Sequence, residues 1–184
     1  MKKFELTAEF VTNVFGKKLF RIKALVAFGD VEKGELGGFI EKEGNLSHDG
    51  DAWVSGNAWV YGNARVSGNA RVSGNAWVYG NARVSGNAQV SGNAQVSGDA
   101  RVSGNADFSV VEGFGRYFRA TTFFRCKDKI LRVQCGCFYG DLAQFREIVK
   151  KTHGDSKYAK EYLAIADLME LHFSDEEEKQ EAVE

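Results

Sequence analysis

Valine recurs at every sixth position from Val54 to Val102, and an alanine stands two residues before each, from Ala52 to Ala100. Ala106 continues the frame, and each unit is completed by Ser or Tyr followed by Gly-Asn or Gly-Asp. Alternate side chains of an extended segment share a face, so every Ala-X-Val puts its alanine and valine on one side and X on the other. Glycine and asparagine tolerate the positive φ of a corner, so each short strand is expected to turn after its valine. Three units then close a triangular coil of a parallel β-helix, with valines filling the interior and alanines where the wall comes closest. An amphipathic helix would need apolar residues at a 3.6-residue period. Collagen would need glycine at every third position. The chain has no proline, so nothing interrupts a ladder of backbone donors.

Residues three units apart stack in columns separated by about one strand spacing, ~4.8 Å. The X positions sort into three such columns: Trp53, Arg71 and Gln89; Trp59, Trp77 and Gln95; Arg65, Arg83 and Arg101. Tyr61 and Tyr79 follow their valines and flank the second column. One face is therefore expected to carry Trp59, Tyr61, Trp77 and Tyr79 as an aromatic block, and another three arginines in register. Two like charges one strand spacing apart repel by roughly 1 kcal/mol in water, so the arginine column invites an anion, a carboxylate or a neighbouring subunit. An exposed apolar block on a protein surface marks contact. Repeat duplication and ordinary cross-strand stacking would also produce such columns with no specific role.

With an aliphatic residue at one position and a small one two before it, as in Ala52-Trp53-Val54, the repeat resembles the left-handed β-helix superfamily of hexapeptide repeats. The resemblance implies left-handed winding and a homotrimer whose interface uses one of the column faces. Leu36, Ile40, Leu46 and His48 fall on the same six-residue grid, so a less regular first coil is expected from about residue 36, and Phe108, in the next valine slot, is expected to close the far end. Over nearly its full length the chain is also similar to phage and prophage hexapeptide-repeat proteins. The residues concerned are Phe28-Gly29-Asp30-Val31, Leu36-Gly37-Gly38-Phe39-Ile40-Glu41, the repeat, Cys135-Gly136-Cys137-Phe138, Thr152-His153-Gly154 and Glu161-Tyr162-Leu163. That likeness implies an accessory protein that blocks or sequesters part of a host defence.

Many proteins of this superfamily are acyltransferases, and some are zinc carbonic anhydrases. The anhydrase site needs three histidines on the coils. This chain has His48, His153 and His172, of which His48 alone lies near the coil grid, in an inward slot. The acyltransferases use a histidine base on a coil or an inserted loop. Neither a loop insertion nor a histidine occurs between Asp51 and Ala106. The Cys135-Gly136-Cys137 pair is read as two thiols on one face of a strand, a spacing unlike that of zinc clusters. With Cys126 these are three cysteines and no secretion signal, which points to reduced thiols. No Gly-rich phosphate loop with its lysine is present. No catalytic residue, metal or cofactor is therefore expected, and a diverged acyltransferase or a structural module remain as alternatives.

The flanks read differently. Residues 1–35 alternate apolar and polar residues over Phe20–Phe28, with a shorter strand from Phe4 and a turn over Asn13–Lys18, as a hairpin that would cover the open first coil. Residues 109–173 read as a small α+β unit. It has a hairpin around Lys127-Asp128, a helix capped by Asp141 and Gln144 and ended by Gly154, and a second helix starting at Asp155 or Ser156. The acidic stretch 174–184 is read as a disordered tail. The formal net charge is -1, so bulk charge points neither to duplex nucleic acid nor to a membrane.

The sequence thus predicts a mainly β protein: a hairpin cap (1–35), a left-handed β-helix (36–108), an α+β domain (109–173) and a tail (174–184). Its expected role is a trimeric, cytoplasmic binding protein, in a host cell if phage-encoded. The candidate interface or binding residues are Trp59, Tyr61, Trp77, Tyr79, Arg65, Arg83 and Arg101. The candidate partners are a host protein or an anionic, nucleotide-like small molecule.

Overall fold

The computed structural model describes residues 1–174; of the predicted acidic tail, residues 175–184 lie outside the described residues. The chain begins with β1 (Phe4–Thr12), β2 (Lys18–Ala24) and β3 (Leu36–Ile40). Nine two-residue strands follow in order, from β4 (Trp53–Val54), β5 (Trp59–Val60) and β6 (Arg65–Val66), through β7 (Arg71–Val72), β8 (Trp77–Val78) and β9 (Arg83–Val84), to β10 (Gln89–Val90), β11 (Gln95–Val96) and β12 (Arg101–Val102). Strands three apart pair in parallel, valine on valine, and build three walls: β4-β7-β10, β6-β9-β12, and a six-stranded wall β1-β2-β3-β5-β8-β11. Every repeat valine and alanine from Ala52 to Val102 is buried, and together they form one apolar cluster down the axis. The architecture is a β-solenoid of three regular coils preceded by an irregular one.

The corners divide their work between two residues. Each repeat glycine from Gly50 to Gly98 takes positive φ, whereas no asparagine does. The asparagines instead stack between coils. The Nδ2 of Asn63 donates to Asn81 Oδ1 at 3.3 Å, and Asn81 Nδ2 donates to Asp99 Oδ1 at 3.2 Å. Asn75 donates to Asn93 at 3.2 Å, and Asn93 donates to the Glu112 carboxylate at 3.2 Å. These amide columns run in one direction and end on acceptors.

The first coil departs from the six-residue grid. Ile40 lies opposite Val60 and Leu46 opposite Val66, so both occupy valine slots. Leu36 is instead 54% exposed, and the His48 side chain is only partly covered. The cause is two extra residues in the corner Ser47–Asp51, which shift everything before it out of the downstream frame. The N-terminal hairpin continues one wall of the solenoid, because β2 pairs antiparallel with β3 and β1 with β2. Phe4, Ile22, Ala24 and Val31 join the valine cluster.

Lys3 is buried at this end, where its Nζ donates to Gly50 O at 3.0 Å and Ala52 O at 2.9 Å. Burial lowers its pKa from 10.5 to about 8, opposed by Asp51 and Asp49 and aided by Arg71. The unfolded chain therefore holds this proton more tightly than the folded one, and the lysine's destabilising effect is fully present below the folded value. Stability should rise with pH between about 8 and 10.5 relative to a Lys3→Met variant. Urea melts of both proteins at several pH values across that window measure it; parallel profiles would show that the ammonium is not desolvated.

After β12 the chain forms an antiparallel sheet, β13 (Phe108–Val111), β14 (Thr121–Arg125), β15 (Leu131–Cys135) and β16 (Phe138–Asp141), in that order. Phe124 of β14 is fully buried against the end of the valine cluster, with Phe108 packed beside it. The helices α1 (Leu142–His153) and α2 (Lys157–His172) pack on the other face through Phe123, Val133, Phe145 and Ile165. Asp141 and Gln144 form the expected capping box, Gly154 follows α1 with φ 54, and Ser156 caps α2. Cys135 and Cys137 do not share a strand face. Gly136, with φ 59, and Cys137 form a two-residue turn between β15 and β16, because glycine at the first central position suits a tight hairpin. No helix among the described residues is long and apolar enough to cross a membrane.

Candidate functional site

The three X columns differ in how much they leave for a partner. In the first, Trp53 is 2% exposed, with the Phe28 ring against it edge-on at 5.5 Å between centroids. Arg71 beneath it pairs with Asp30. The N-terminal segment 28–31 thus covers two of the three positions, which local periodicity could not reveal.

In the second column Trp59 and Trp77 stack with centroids 4.9 Å apart and planes 1° apart, and both stay half-buried. Tyr61 and Tyr79 stack beside them at 5.1 Å and 3°. Tyr61 is only 8% exposed, because Leu19 and Phe39 pack against it, so its ring is used within the chain. Burial, with the neighbouring Tyr79, pushes its hydroxyl up to about 12. The Tyr79 hydroxyl is also raised by burial, against the opposing effect of its hydrogen bond to Ser97, whose own hydroxyl donates to Gln134 Oε1 at 3.1 Å. The aromatic block exists, but its open part is the tryptophan pair.

The third column holds the arginines in register, Arg65 opposite Arg83 and Arg83 opposite Arg101. Arg101 bends back, and its Nη1 donates to the carbonyls of Ala100 at 2.9 Å and Asn81 at 3.1 Å. Arg65 and Arg83 remain exposed, and neither has an ion pair among the described residues. With Ser67 and Ser85 they line a groove of about 210 Å³. The arginine and tryptophan pairs lie on different walls of one chain, β6-β9 and β5-β8.

His48 is held as a structural group. Its Nδ1 accepts from the Lys3 amide at 3.1 Å, so the proton sits on Nε2, which donates to Glu43 Oε1 at 2.8 Å. Its ring stacks on Phe4 at 4.3 Å. With both nitrogens engaged, it offers no lone pair to deprotonate an acceptor. Among the described residues no three His, Cys, Asp or Glu side chains gather closely enough to hold a metal ion.

Periodicity gives no sign of another cavity, in the C-terminal unit, lined by Arg116, Arg119, Phe138, Phe145 and Tyr162 among others. Its walls come from separate segments; the one local signal is the exposed basic-aromatic run Arg116-Tyr117-Phe118-Arg119.

Coils, walls and columns together define a β-solenoid repeat protein. Residues 64–80, 76–92 and 94–106 match the family described as the YdcK beta solenoid repeat. No curated protein matches the chain.

Proposed function

We propose that this chain is a non-enzymatic binding protein, in which a homotrimer of left-handed solenoids presents a stacked arginine pair to an anionic partner. The observation that carries this reading is Arg65 over Arg83, both exposed and without an ion pair among the described residues, beside Ser67 and Ser85. Two guanidinium groups one strand spacing apart repel by roughly 1 kcal/mol in water. A bound anion removes that repulsion and accepts hydrogen bonds from both forks, while the serine hydroxyls supply further donors. A nucleotide-like phosphate suits this chemistry, as does a carboxylate presented by a host protein.

The trimer is supported by the half-buried tryptophan pair, which leaves apolar surface on the wall opposite the chain's own core. A nucleotide would meet both tryptophan for base stacking and arginine for phosphate only across a subunit boundary. Left-handed winding, a capping role for the N-terminal hairpin, residence in the cytoplasm and a phage or prophage origin, with a host-defence protein as partner, complete the proposal. The handedness and the phage origin rest on the motif resemblance, the cap on the open edge of the first coil that the hairpin would cover, and the location on the sequence reading of the termini and thiols.

Native mass spectrometry of the protein purified gently from cells tests the proposal. The expected result is a trimer carrying an extra mass that disappears in the Arg65→Ala/Arg83→Ala variant. A trimer with no adduct, or one that keeps it in that variant, would overturn the anion site. A monomer would overturn the assignment of the tryptophan face to assembly.

A further inference from the structure

The cleft in the C-terminal unit combines an apolar floor with two cations at its rim. Phe138 of β16 and Phe145, Ile148 and Val149 of α1 form the floor, and Arg116 and Arg119 reach in from the loop between β13 and β14. The floor is aromatic in character: the Phe145 ring meets Phe138 at 5.6 Å and Tyr162 edge-on at 5.8 Å. Both guanidinium groups lie against one side chain, with Cζ of Arg116 5.6 Å and Cζ of Arg119 5.1 Å from the Tyr117 ring centroid. Two cations gathered around one ring, with no carboxylate paired to either among the described residues, leave the rim electropositive. Nearby apolar surface is also uncovered, since Ile148 is 38% and Tyr117 63% exposed.

Size narrows the ligand class. The cavity measures about 210 Å³. An apolar cavity of roughly 150 Å³ holds benzene, and drug-sized ligands occupy about 300 Å³ or more. One ring bearing a small anionic group fits between these limits. A carboxylate suits the rim best, because a planar guanidinium fork matches its two oxygens. We propose that this cleft binds a small aromatic carboxylate, its ring on Phe138, Phe145 and Ile148 and its carboxylate between Arg116 and Arg119. Cys135 lines the same cleft, its sulfur accepting from Thr121 Oγ1 at 3.2 Å.

Benzoate is the test ligand, with benzyl alcohol as the ring without charge and acetate as the charge without ring. Calorimetric titration of the full chain should show one benzoate per chain, with both controls binding at least tenfold more weakly. The Arg116→Gln/Arg119→Gln variant should lose benzoate binding by on the order of tenfold or more, since a charged hydrogen bond contributes that much. Both arginines are exposed, so the variant keeps its fold, which its circular dichroism verifies. Arg65→Gln/Arg83→Gln should bind benzoate like the parent, which separates this cleft from the solenoid groove. No heat from benzoate at millimolar concentration, equal binding of benzyl alcohol, or benzoate binding indifferent to Arg116 and Arg119 would each overturn the assignment.

Discussion

The Gly86→Ala variant is expected to lose about 3 kcal/mol of stability, while Gly92→Ala loses only about 1 kcal/mol. Both glycines hold the same position in successive repeat units, at neighbouring corners of the coil, with φ 59 at Gly86 and 67 at Gly92. The left-handed conformation costs an alanine roughly 1–2 kcal/mol at either site. What separates them is the next coil. A Cβ on Gly92 would meet the Glu112 Oε1 atom at 3.5 Å and nothing else close. A Cβ on Gly86 would drive into the Ser103 carbonyl oxygen. Nearby backbone is held by the ladder bond from Ser85 N to Val102 O at 2.8 Å, so neither strand can move away without breaking pairing. Overpacking of this kind costs about 1–3 kcal/mol more. A domain of ordinary stability has only about 5–15 kcal/mol in total, so Gly86→Ala should melt well before its neighbour variant in urea. Equal midpoints would mean that the last coil gives way freely at this corner.

The second large effect is expected at Trp53. Trp53→Ala should cost about 3–5 kcal/mol, the range for removing a buried aromatic side chain. Trp77→Ala, at a half-buried ring, should cost markedly less. Truncation at position 53 removes the surface on which Phe28 packs, so the segment carrying Val31 and Asp30 should loosen with it. Hydrogen exchange in residues 25–35 reads that coupling directly, and protection there unchanged from the parent would refute it. Trp53 also carries a buried indole N–H with no partner among the described residues. Such an orphan donor costs about 1–3 kcal/mol, so Trp53→Phe should recover much of the loss that alanine incurs.

Trp53 also marks how far the sequence could be read. Ala52-Trp53-Val54 and Ala58-Trp59-Val60 are the same local motif, and both tryptophans do point away from the valine core. Whether an outward ring meets solvent depends on a segment about 25 residues earlier in the chain, and no periodicity encodes that contact. The interior was legible because every coil repeats the same constraint: an aliphatic side chain, valine in each regular unit, faces another across the ladder, and an alanine fits where the wall is close. Register failed at Ser47–Asp51, where His48 and Asp49 separate Ser47 from an otherwise regular Gly50-Asp51-Ala52. The thiols of Cys135 and Cys137 were misplaced for a related reason, because Gly136 between them makes a turn of what spacing alone reads as a strand. The arginine column was predicted correctly as a stack. That Arg101 would fold back onto the Ala100 and Asn81 carbonyls follows from its place in the last coil, beyond which no further strand of that wall follows among the described residues.

The one-way amide columns have a consequence for how such a chain can change in length. Whole coils inserted between existing ones would find asparagine donors on one side and asparagine acceptors on the other, and valine above and below. At two of the three corners of the C-terminal end no such extension fits, because Asp99 and Glu112 hold no side-chain N–H to hand on to another amide. A second solenoid placed end to end would meet carboxylates at those two corners where it needs donors, and the sheet that buries Phe124 already occupies the opening. Growth is therefore internal and stepwise, in increments of ~4.8 Å per coil, while both ends stay fixed. Duplication of a middle coil would lengthen the ruler that spaces Arg65 from the C-terminal cleft without disturbing either.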